Sequence, residues 1–115
     1  MDTSIYISDR CLSEFLIWLP KNENLPGPEL ISPYFWFEKQ PKLYKIALLI
    51  KFFDSLDINI ESFKYDHHVA YVDGDKAFDS DEIRPHDERE DAQVDGIACA
   101  NIKFNENPKK YEGRL

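Results

Sequence analysis

The longest patterned stretch of the chain is KLYKIALLIKFFDSL at residues 42–56, directly behind Pro41. Its interior has no Gly or Pro and is rich in Leu, Lys and Ala, all good helix formers. Pro41 suits a first helical turn, where its missing N–H costs nothing. At about 100° per residue, Leu43, Ile46, Leu48, Leu49, Ile50, Phe52, Phe53 and Leu56 fill an arc of roughly 220°. The remaining stripe carries Tyr44, Ala47, Lys51, Asp54 and Ser55, while Lys42 and Lys45 fall near the arc and must snorkel. An ordinary surface helix has an apolar stripe of about 100°. This one therefore needs cover on two sides, from a sheet and from another helix or a partner. The pattern makes it the core element against which the rest is laid.

Ahead of it, TSIYI at residues 3–7 is β-branched and predicts a short first strand. Ser8 or Asp9 then offers an N-cap for DRCLSEFLIWL. That helix places Leu12, Phe15, Leu16 and Leu19 on one face, with Cys11 and Trp18 at its margin and Asp9, Arg10, Ser13 and Glu14 opposite. Ile17 lands among the polar positions, and Pro20 is expected to end the helix. A buried strand over EFLIWL is the alternative. Residues 20–33 hold four prolines and one glycine and predict a loop. YFWFE at 34–38 predicts a strand with aromatic side chains on both faces, so that Tyr34 or Trp36 is available as an interface anchor.

Behind the long helix, Ile58 and Ile60 alternate with Asn59 and Glu61, and Val69 and Tyr71 alternate with Ala70 and Val72, which is strand chemistry. Residues 64–68 are either a hairpin turn or the middle of one long strand. DGIACANIKF at 95–104 predicts a last, weaker strand. Together these elements predict one α+β domain over residues 1–105, with two helices packed on a mainly antiparallel sheet of three to five strands. A long acidic loop at 73–95 lies within it, and a polar tail at 106–115 is expected to fray.

Length and composition fit that frame. A chain of 115 residues is one domain by size and buries a modest core. Eight Phe and two Trp argue against wholesale disorder. MDTSIYISD lacks a basic region followed by an apolar run, and no stretch is long enough to cross a bilayer, so the expected compartment is cytoplasmic. Cys11 and Cys99 lie far apart without metal-ligand spacing and are expected as free thiols.

Charge changes the picture most. The net charge is −8, and residues 73–95 hold ten acids against three bases, a net of −7, which leaves −1 for all the rest. This face is unsuited to a nucleic-acid backbone, which needs clustered Lys and Arg. It fits a basic protein or a cation. Asp73, Asp75, Asp79 and Asp81 have calcium-loop composition, but counting from Asp73 puts Phe78 where an EF-hand needs Gly and Arg84 where it needs Glu. His67 or His68, with His86 and loop carboxylates, could form a metal site or a small metal-dependent hydrolase. Adjacent strand residues point to opposite faces, so at most one of His67 and His68 joins it. No phosphate loop, nucleophile elbow or Cys–His pairing is present, so an enzyme is the less expected class and no cofactor is implied.

The combined features have the physical character of an inhibitor. Dense carboxylates steer the protein to a basic partner, and a few aromatics hold on. Immunity proteins against nuclease toxins, and nucleic-acid-mimicking anti-restriction or anti-CRISPR proteins, share that character. On this reading Asp79, Asp81, Glu82, Asp87, Glu88 and Asp91 meet the partner's basic groups, with Tyr34 or Trp36 packed beside them. The protein itself would be a monomer or weak homodimer that binds neither nucleic acid nor membrane.

Overall fold

The computed structural model describes residues 7–25, 32–64, 68–73, 75–76 and 89–111. Their order is α1 (Asp9–Asn22), α2 (Pro33–Glu38), α3 (Lys42–Ser55), β1 (Ile60–Lys64), β2 (His68–Val72), β3 (Asp75–Lys76), α4 (Arg89–Glu106) and α5 (Pro108–Tyr111). The expected architecture is corrected. Five helices dominate the described residues, and the sheet is an antiparallel β1–β2 hairpin to which only the two-residue β3 is added. The anticipated strand at 3–7 falls, but for Ile7, outside the described residues.

Two strand expectations turn out to be helices, for visible reasons. YFWFE belongs to α2: the Ser32 hydroxyl accepts the Phe35 backbone N–H at 3.1 Å, and Pro33 follows at the first helical position. That cap-and-proline signal outweighs the strand propensity of the aromatics. DGIACANIKF belongs to α4, whose buried residues Ala92, Gly96, Ile97, Ala100 and Phe104 recur at helical spacing. The tail expectation is corrected as far as Tyr111, while 112–115 lie outside the described residues. Pro108–Tyr111 forms α5, and Tyr111 is buried with its ring stacked on Phe104 at 5.4 Å.

The element at the centre is α4, which packs on β1, β2, α3, α1 and α5. Its closest approach to the hairpin is at Gly96. A Cβ there would lie 2.7 Å from Ile60 Cγ2 and 3.3 Å from Ala70 Cβ, so glycine lets the helix axis settle onto the strands. β1 and β2 pair from Ile60 opposite Val72 to Lys64 opposite His68. Ile60, Ala70 and Val72 are all buried.

α3 starts at Lys42 as predicted, ends at Ser55, one residue short of the predicted Leu56, and packs on α4, α1 and β1. Ile46, Leu48, Leu49, Phe52 and Phe53 are buried, as is Lys45, while Lys42 stays exposed. The helix closes with the Ile58 N–H on the Phe53 carbonyl at 2.9 Å and the Asp57 N–H on that of Asp54 at 3.0 Å. This is a Schellman arrangement with Asp57, at φ 64°, in the left-handed place usually given to glycine. Ile58 and Phe53, the two positions whose apolar side chains usually accompany this motif, are both buried.

α1 runs two residues past Pro20, because a proline in the last turn forfeits only one backbone bond and Glu23 N–H still reaches the Leu19 carbonyl at 2.9 Å. Its buried face is Cys11, Phe15, Trp18 and Leu19. Phe15 is the hub of an aromatic cluster, with Phe37 at 4.9 Å and Phe52 at 5.3 Å in edge-on contact and Trp18 at 5.9 Å. Phe52 in turn meets Trp18 and Phe53. Rings so arranged gain from their edge-to-face electrostatics as well as from burial. Cys11 is buried, Cys99 is half-buried, and both are free thiols.

Candidate protein-binding surface

At the start of the acidic segment Asp73 follows β2, and Gly74 lies outside the described residues. Asp75–Lys76 pair as β3, residues 89–95 form the first turns of α4, and 77–88 lie outside the described residues. The expectation of one continuous loop over 73–95 is corrected at both ends. Of the proposed contact residues, Asp79, Asp81, Glu82, Asp87 and Glu88 lie outside the described residues, and Asp91 is in the first turn of α4.

Tyr34 and Trp36 sit on α2, both half-buried. The Trp36 ring stands nearly perpendicular to Tyr44, at 6.2 Å. Sequence reading missed that the most open apolar side chains here are their neighbours: Leu43 is 60% exposed, Phe35 51% and Tyr44 40%. Helical rather than strand geometry explains this. With Phe37 turned into the core, Phe35 two positions away points outward, where Lys39 Nζ lies 4.9 Å over its ring.

Glu23, just past α1, ties this surface together. Tyr44 donates its hydroxyl to Glu23 Oε1, and Lys51 Nζ donates to Oε2, both at 3.2 Å. Burial raises the Tyr44 hydroxyl above its ordinary value, helped by the hydrogen bond to Glu23 and its charge, against a smaller opposing effect of Lys51.

Along the outer side of α3 runs an open groove of about 320 Å³, lined by Leu43, Ile46, Ala47, Ile50, Lys51 and Asp54, with Gln93 of α4 on its other wall. Its α3 lining falls at i, i+3, i+4, i+7, i+8 and i+11, one face of the helix. The arc read from sequence was wide enough for two covers. The structure covers it with α1, α4 and β1 and leaves this strip open. Desolvation raises the Asp54 carboxyl above its ordinary value, and among the described residues Asp54 has no ion-pair partner.

The metal reading gains no geometry. His67 and His86 lie outside the described residues, and His68 begins β2 opposite Lys64. Among the described residues no group of three or more His, Cys, Asp or Glu is placed to hold a metal ion. Nor is any helix among them long and apolar enough to cross a membrane. No family model, curated protein or solved structure matches the chain.

Proposed function

We propose that this chain is a protein-binding domain, a cytoplasmic inhibitor of a basic, nucleic-acid-acting partner such as a nuclease toxin. The observation that carries this reading is the segregation of charge: residues 73–95 hold −7 of the net −8. Carboxylates crowded into one segment repel one another. A basic partner turns that repulsion into attraction and gains association rate by steering. The segment also ends beside open apolar surface, since Gln93, within it, shares a groove with Leu43, Ala47 and Ile50. Gln93, two residues before the end of the acidic segment, thus adjoins apolar surface suited to retention.

The test is calorimetric titration against a panel of basic nuclease domains, with a variant in which Asp79, Asp81, Glu82, Asp87 and Glu88 become Asn or Gln. A true partner binds the native chain, loses affinity steeply as salt rises, and ignores the neutralised variant, whose circular dichroism stays native. Equal binding of both proteins, at any salt, refutes the reading.

A further inference from the structure

The groove on α3 combines an apolar floor with a carboxylate in an awkward place. Leu43, Ile46, Ala47 and Ile50 form the floor, and Asp54 ends it in the last turn of α3, a turn without Lys, Arg or His. The C-terminal end of a helix carries partial negative charge, so an acid there is unfavourable and a cation beside it is favoured. The neighbouring cation, Lys51, is already held by Glu23. From Leu43 to Asp54 is three helical turns, about 16 Å at 1.5 Å per residue.

We infer that this groove receives a short amphipathic basic helix of the partner, with apolar side chains along Leu43, Ala47 and Ile50 and a Lys or Arg against Asp54. This rests on the basic-partner reading above and adds the place and the shape of the contact. Helices dock into such grooves by anchors spaced i, i+3 or i+4, and i+7, the same spacing as the floor. A second copy of this chain fits poorly, because each copy carries a net charge of −8 and the two repel. The partly desolvated Asp54 carboxyl, raised by that desolvation, gains most from a cation at that point.

The probe is a fluorescent fourteen-residue peptide with Leu on one helical face and Lys on the other. A Lys–Gln peptide of the same charge and a Leu–Gln peptide without charge serve as controls. The protein is used native, as Ala47→Glu and as Asp54→Asn, both changes at exposed helical positions. Binding of the Leu–Lys peptide is expected to weaken by about tenfold in Ala47→Glu and by a smaller factor in Asp54→Asn. NMR shifts on binding should map to Leu43, Ala47, Ile50 and Gln93.

Ala47→Glu separates the two ideas, because it adds negative charge while blocking the floor. Unchanged or tighter binding by this variant overturns the groove and leaves the charge reading standing. If neither lysine peptide binds, the basic-partner reading and the groove fall together. If sedimentation shows the native chain alone to be a dimer that Ala47→Glu dissociates, the face belongs to a second copy and the inference is overturned.

Discussion

Asn105, in α4, accepts the backbone N–H of Cys11, in α1, at 3.0 Å. The two residues are 94 positions apart, yet this bond does the work of a local N-cap. Ser8, at the cap position, makes no side-chain cap bond of its own. Its N–H goes instead to Asn101 Oδ1 at 2.9 Å, and its carbonyl accepts from Asn105 Nδ2 at 3.1 Å. Asn101 Nδ2 also reaches the Ser8 hydroxyl at 3.3 Å, and the two asparagines bond to each other at 3.2 Å. One turn of α4 thereby satisfies the opening of α1, whose first N–H groups would otherwise lack partners.

Replacing Asn105 by Ala should therefore behave as the loss of a helix cap, costing about 1–2 kcal/mol in urea unfolding. Because α1 and α4 are joined through this bond, hydrogen exchange should quicken at the first turn of α1. Protection unchanged there would mean that the asparagine is not the cap.

Gly96→Ala should destabilise the fold by about 1–3 kcal/mol, although the same change in an open helix stabilises by about 1 kcal/mol. The reversal of sign comes from Ile60, whose Cγ2 would stand 2.7 Å from the new methyl. Ile60→Ala costs stability alone, but combined with Gly96→Ala it should cost less than the sum of the two. Strict additivity in the double-mutant cycle would show that the close approach is not what Gly96 serves.

Asp73 closes the far end of the β1–β2 hairpin. It takes φ 53°, accepts the Asn59 N–H at 2.8 Å on Oδ1 and is paired with Lys103 of α4 through Oδ2. Burial pushes its carboxyl up. The hydrogen bond from Lys103, the bond from the Asn59 backbone and the charges of Lys103 and Lys110 outweigh this, and the net shift is downward. A carboxylate whose folded value lies below its unfolded one stabilises the protein above the unfolded value, near pH 4. That stability is lost as pH falls through the lowered folded value. Asp73→Asn keeps the acceptor for Asn59 and tolerates the positive φ, but lacks the titration. Melting temperatures measured from neutral pH downward should converge for the two proteins below about pH 4. A constant gap at every pH would remove Asp73 from the acid response.

Two of the five helices among the described residues were legible. α3 was read from its period and from Pro41, and α1 from its apolar face, with Ile17 correctly left among the polar positions and exposed. α2 was written in Ser32-Pro33, a start signal that a run of four aromatics masked, since single-residue strand propensity is weak against a cap. α4 was masked by its small residues. Gly96, Ala98 and Ala100 look like a poor strand until Ala92, Ile97 and Phe104 are placed on the same helix.

The sequence by itself determined that α3 is a helix with more apolar surface than one neighbour can cover, and that nearly all the charge belongs to one segment. Helical period and the sign of side chains are local properties, legible without knowing the neighbours. Only the tertiary structure decided that α4, not α3, is the centre, and that Asn105 caps a helix begun nearly a hundred residues earlier. It also decided which strip of α3, from Leu43 to Asp54, stays open. Those facts depend on how closely two backbones approach and on which groups remain unsatisfied when they do. A glycine or an asparagine acquires its role only from what is packed against it.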